Sequence, residues 1–159
     1  MQAVLLGVTI IVVCFALVVF VGAPYLPTLK PQIQTAIKLL NVEPGQTVLE
    51  LGSGDGKVML AMAQAGLHVV GIEVNPLLVM VSWWRTRKYR NQVQVIWGSF
   101  WNVSWPPSDG VFVFLLDRFM PKLDARMRNY KGPIVSIAFK IPLKNPVREE
   151  NGVYLYEYS

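Results

Sequence analysis

The chain opens on an unbroken apolar run. From Ala3 to Ala23 there is no charge and no strongly polar group except Thr9. A helix needs about 20 such residues to cross a ~30 Å hydrocarbon core. No polar face recurs at any period, as a helix packed at a protein surface would require. The run predicts one transmembrane helix over residues 3–23. A cleaved signal peptide is the rival reading, since Val21, Gly22 and Ala23 look like a small-residue cleavage site. Against it, no Lys or Arg precedes the run and Pro24 follows directly. The run is also longer than the roughly 7–15 apolar residues of a signal.

Beyond Ala23 the pattern changes. Residues 24–45 read as a proline-punctuated connector, PYLPTLKP, and a short amphipathic helix carried by Ile33, Ala36, Ile37 and Leu40. Pro44-Gly45 is a turn. Apolar strands and helices then alternate over residues 46–159. Strands are expected at Thr47–Leu51, His68–Glu73, Val93–Trp97, Val111–Leu116, Ile134–Phe139 and Val153–Tyr158. A helix at Lys57–Ala65 is closed by Gly66. A second is capped by Asn75, opened by Pro76 and runs to about Arg90. A third lies around Pro121–Tyr130. This order predicts an α/β domain with a Rossmann-like, doubly wound, mostly parallel sheet. Six strands are expected. The stretch between the fifth and the last is too short for a full helix plus another strand.

Composition fits one domain behind an anchor. The chain has 159 residues, and its 53% hydrophobic share is raised by the first run. All fifteen Lys and Arg residues follow that run. The positive-inside rule then gives a single-pass protein with its domain in the cytoplasm, or in the mitochondrial matrix of a eukaryote. Cys14 is the only cysteine, so no intramolecular disulfide can form. The net charge of +5 is diffuse. It suits an anionic leaflet and gives no reason to expect nucleic acid.

Candidate chemistry concentrates at the end of the first strand, in Glu50-Leu51-Gly52-Ser53-Gly54-Asp55-Gly56-Lys57. Open α/β sheets bind ligands there, at the carboxyl ends of central strands. The glycine spacing excludes two common ligands. A dinucleotide loop needs its third glycine one residue later. A phosphate loop needs a glycine where Leu51 stands and a hydroxyl where Val58 stands. What remains is an acid followed by G-x-G-x-G, and an acid at Glu50 suits a ligand bearing an ammonium and a sulfonium. Glu73 ends the second strand about 20 residues further on, where an acid accepts ribose hydroxyls.

The run LELGSGDGKV followed by GIEVNP resembles the seven-strand class I methyltransferases. Tyr25-Leu26-Pro27-Thr28 after an apolar helix, Phe139-Lys140-Ile141-Pro142 after the fifth strand, and Val153-Tyr154-Leu155-Tyr156 narrow the likeness. They are similar to the membrane-anchored mitochondrial protein-lysine methyltransferases of the adenine nucleotide translocase and the ATP synthase c subunit, and to their prokaryotic relatives. The resemblance implies S-adenosyl-L-methionine as cofactor. It implies Glu50, Gly52, Ser53, Gly54, Asp55, Gly56 and Glu73 as its binding residues. Ser99 stands where the family often has an adenine-contacting acid, and Ala138 where it has an arginine before Phe139.

Substrate residues are less sharply marked. Tyr25 and Thr28 are candidates for an apolar pocket beside the cofactor. Asp117 follows the fourth strand in Leu115-Leu116-Asp117-Arg118, where nucleobase and glutamine amino-methyltransferases commonly carry an N-P-P-Y motif. It either orients an incoming amine or caps the next helix. Arg85, Arg87, Lys88 and Arg90 complement a helix dipole or meet a membrane surface. Trp97, Trp101 and Trp105 line a substrate pocket or simply pack. His68 has no metal-ligand partners.

The expected activity is N-methylation of lysine in a membrane or membrane-associated protein. The rivals are a methyltransferase for a lipid-soluble small molecule, such as a quinone precursor or phospholipid amine, and a non-catalytic cofactor-binding membrane module. The expected partners are the bilayer and a protein substrate near it, with no metal.

Overall fold

The computed structural model describes residues 1–2, 4–9, 12 and 28–159. Tyr25 and most of the apolar run at 3–23 lie outside the described residues, and the expected transmembrane helix with them. Residues 4–9 are helical. Among the described residues no helix is long and apolar enough to cross a membrane.

The domain begins with helix α1 (Lys30–Leu40). Its buried positions, Ile33, Ala36, Leu39 and Leu40, recur at helical spacing and form one stripe. Asn41 ends it in the left-handed region, at φ 49°. Strand β1 (Thr47–Leu51), helix α2 (Lys57–Gln64), strand β2 (His68–Glu73), helix α3 (Pro76–Arg85) and strand β3 (Val93–Trp97) follow. Strand β4 (Gly110–Val113), helix α4 (Met120–Met127), strand β5 (Gly132–Ile137), strand β6 (Arg148–Glu150) and strand β7 (Val153–Tyr158) complete the domain.

One seven-stranded sheet runs β3-β2-β1-β4-β5-β7-β6. The first five strands pair in parallel, whereas β7 pairs antiparallel with both β5 and β6. The sheet is therefore mixed. The expectation of six strands is corrected to seven. The missed strand needs no crossover helix, because β6 and β7 form a hairpin turned by Asn151 and Gly152. Their φ values are 54° and 71°, as a two-residue hairpin loop with both central residues left-handed demands. Asn-Gly was the readable signal. The three polar residues Arg148, Glu149 and Glu150 disguised the strand before it.

Both faces of the sheet are covered. Side chains alternate along β1, so Val48 joins α1 and α2 in one apolar cluster. Leu49 and Leu51 join Met120, Leu123 and Met127 of α4 in the other. Helix α3 is the exception. Its sequence PLLVMVSWWR is mostly apolar, yet Ser82 is its only buried residue. It stops at Arg85 rather than near Arg90. The Thr86 hydroxyl donates to the Ser82 carbonyl at 2.8 Å, and residues 87–89 tighten into a 3-10 turn.

Candidate active site

The strand order reverses between β1 and β4, leaving a crevice at the carboxyl end of β1. The glycine loop occupies it. Gly52, Gly54 and Gly56 have φ values of 79°, 54° and 76°, which only glycine adopts freely. The loop is tied to β2, because the Gly52 and Ser53 amides both donate to the Ile72 carbonyl, at 2.9 and 3.1 Å. Gly56 opens α2 against α3. A Cβ there would lie 2.4 Å from the Ser82 hydroxyl and 2.9 Å from the Ser82 main chain.

Glu73 is 7% exposed and braces this loop. One carboxylate oxygen accepts from the Gly54 amide at 2.9 Å, the other from the Asn75 amide at 2.8 Å. A carboxylate has about four acceptor positions, so capacity for two ribose hydroxyls remains. Asp55 is already engaged. It forms an ion pair with Arg85 and accepts from the Lys57 amide at 3.2 Å. Arg85, read from sequence as a dipole partner, thus locks α3 to the loop.

Glu50 and Ser53 supply the test of fit for a cationic cofactor. Glu50 is 3% exposed, and its Oε2 has no hydrogen-bond partner. The Ser53 hydroxyl is likewise buried and unpartnered. Buried polar groups are nearly always satisfied, so these two atoms are left free for a partner from outside the chain, such as a ligand or a water. Burial pushes the Glu50 carboxyl well above the usual carboxylate range. The nearby charges of Glu73 and Asp55 push the same way, and the Met59 backbone opposes them. A cation removes this penalty. The residues present fit S-adenosylmethionine.

This geometry sets a pH dependence. A carboxyl whose pKa is raised on folding stabilises the native state fully below the unfolded pKa of ~4.3. That contribution is lost as pH rises through the folded value. A bound cation favours the ionised form and expels the proton. Cofactor affinity should therefore rise with pH across the raised Glu50 titration. Calorimetry in buffers of different ionisation enthalpy should record proton release, and Glu50→Gln should abolish it. The same variant should raise the melting temperature of the cofactor-free protein above that titration. A flat affinity without proton release would remove the cation from Glu50.

The other expected residues spread around the crevice. Ser99 follows β3, where the Gly98 amide donates to the Glu73 carbonyl at 2.9 Å. Its hydroxyl accepts from the Trp101 amide at 3.3 Å. Thr28 is buried, and its carbonyl accepts from Lys57 Nζ at 3.0 Å, which sets the connector beside the glycine loop. Asp117 is exposed beyond the end of β4 and makes no capping hydrogen bond, so the helix-cap reading is not supported.

Two residues escaped the sequence reading. Phe100 Cε1 would lie 3.9 Å from a Cβ added at Gly52, which sets the ring beside the loop. Arg126 of α4 donates to the Trp101 and Val103 carbonyls at 2.8 and 2.9 Å and stacks on Trp105. It clamps the aromatic loop after β3. Trp101 and Trp105 pack against the core, whereas Trp97 is exposed. Among the described residues no cluster of His, Cys, Asp or Glu is arranged to hold a metal.

Sheet order, glycine loop and the acid that ends β2 together define the class I methyltransferase architecture. Residues 50–148 match the family model described as the ANTKMT methyltransferase domain, and the chain belongs to that family. It is 32% identical over 127 residues to the lysine N-methyltransferase of the ATP synthase c subunit from Xenopus laevis, covering 77% of this chain and 55% of that protein. It is 26% identical over 148 residues to a protein-lysine N-methyltransferase of Saccharolobus islandicus, covering 84% and 92%. The structure superposes on a Salinibacter ruber RNA methyltransferase solved with S-adenosyl-L-homocysteine, with a TM-score of 0.76 and 26% identity, over 84% and 92% of the two chains. The chain spans about half the length of the vertebrate lysine methyltransferases it matches. The cofactor is S-adenosyl-L-methionine.

Proposed function

We propose that the protein is an N-methyltransferase acting on lysine of a membrane or membrane-associated protein. The observation that carries the reading is the crevice built by Glu50, the glycine loop and Glu73, in a chain whose relatives from Xenopus and Saccharolobus are both named lysine N-methyltransferases. The cofactor supplies a methyl group on a sulfonium, whose departure as a neutral sulfide needs no acid. The protein's task is then alignment of the amine, which in favourable geometry accounts for about 7–11 kcal/mol of barrier.

A lysine must also lose its proton. From a pKa of ~10.4 to pH 7 this costs about 4.6 kcal/mol, at ~1.36 kcal/mol per unit. A desolvated pocket lowers that cost. We assign its walls to Thr28 and the loop from Ser99 to Trp105, with Phe100 beside the glycine loop, and propose Tyr25 for the same pocket from its place in the sequence alone. Asp117 is our candidate for receiving the substrate ammonium at the rim. The uncharged run at 3–23 supports anchorage, with the domain on the cytoplasmic or matrix side.

Incubating membranes and total RNA with the enzyme and radiolabelled cofactor, then separating protein, lipid and RNA, tests the reading. Label in the protein fraction is the expected outcome. Label confined to lipid or quinone would give the site to a small molecule, and label confined to RNA would place the chain with the Salinibacter protein's activity.

A further inference from the structure

Helix α3 leaves an apolar and basic face uncovered. Met80 is 67% exposed, Trp83 56% and Trp84 62%, with Trp97 of edge strand β3 at 69%. Large apolar side chains grouped in this way mark an interaction surface. The cations are arranged on the same rings. The Arg87 guanidinium lies 4.3 Å from the Trp84 ring centroid, and that of Arg90 lies 5.0 Å from Trp83. Lys88 is exposed between them. From Pro76 to Trp97 there is no acidic residue. A depression of about 630 Å³ beside Trp83 and Arg90 is also lined without an acid.

We propose that this face docks on the surface of an anionic phospholipid bilayer. Indole rings settle at the membrane–water boundary. A guanidinium stacked on an indole keeps its charge at phosphate depth while the ring reaches the acyl boundary. Each cation near an anionic surface adds about 1 kcal/mol, roughly fivefold in affinity. Met80 and Val81 supply aliphatic area that a bilayer interior accepts and a nucleic-acid backbone does not use. The Thr28 carbonyl is held by Lys57, whose amide donates to Asp55, and Asp55 pairs with Arg85 of α3. Thr28 is thereby tied, through Lys57 and Asp55, to the loop-facing side of α3. Docking here fixes how the crevice faces the membrane and is independent of which group is methylated.

A full-length chain with Cys14→Ser and Met80→Cys, labelled at residue 80 with an environment-sensitive fluorophore, reads the docking directly. On vesicles of mixed phosphatidylglycerol and phosphatidylcholine the emission should shift to the blue, and high salt should reverse the shift. On phosphatidylcholine alone it should stay water-like. Arg87→Gln and Lys88→Gln should each lower the docked-to-undocked ratio about fivefold, and Trp83→Ser with Trp84→Ser should abolish docking. Unchanged cofactor binding in these variants establishes that the fold is intact. A water-like signal on anionic vesicles overturns the proposal. So does a blue-shifted signal that disappears when the protein is diluted among the vesicles, which would mean the face is covered by a second copy. A shift produced by RNA and not by anionic lipid overturns it as well.

Discussion

Replacing Glu73 with alanine should weaken S-adenosylmethionine binding by roughly 10–150-fold, as measured by calorimetry. The carboxylate accepts from two backbone amides, one in the glycine loop and one at the start of α3. A hydrogen bond to a charged group contributes about 1.5–3 kcal/mol. Losing the ligand's hydroxyl bonds accounts for one such term, and the loosened loop works in the same direction. Glu73→Gln keeps one acceptor oxygen and should fall between wild type and Glu73→Ala. Preferential binding of a nicotinamide dinucleotide, or an unchanged affinity in Glu73→Ala, would contradict the site as described.

The second large effect is on stability. Gly56→Ala should cost about 2–4 kcal/mol from two sources, a left-handed φ and overpacking. The added Cβ meets both the side chain and the main chain of Ser82, and α3 cannot retreat freely while Arg85 is paired with Asp55. A fall in melting temperature of roughly 5–15 °C is expected for a chain of this size. Adding Ser82→Ala should restore only part of it, since the clash with the main chain of residue 82 and the φ strain persist. Full restoration would mean that the hydroxyl alone forbids a side chain at Gly56.

Much of this domain was legible because its signals are local. Strands β1, β2, β3 and β7 begin and end where the apolar runs do, and Asn75-Pro76 fixes the start of α3. The glycine loop and Glu73 are readable for the same reason, as short motifs at predictable strand ends. What stayed hidden depends on residues distant in sequence. Strand β6 is three polar residues given meaning by β7 across the Asn151-Gly152 turn. Phe100 meets Gly52, and Arg126 grips Trp101 and Val103, only after the sheet has assembled. Asp55 pairs with Arg85, thirty residues away, a contact that the loop motif alone does not reveal. The end of α3 was misplaced because the basic residues after it suit a helix, while Thr86 turns back on Ser82.

Methyl transfer to lysine in this crevice, as proposed above, leaves a mark that can be read directly. Membranes incubated with the enzyme and cofactor carrying a deuterated methyl group should, by mass spectrometry of digested membrane proteins, show deuterated methyl on lysine Nζ. At a cofactor concentration near the wild-type dissociation constant, the Glu73→Ala enzyme should label those lysines several-fold less. Deuterated methyl in lipids, quinones or RNA, with every lysine unlabelled, would contradict the account.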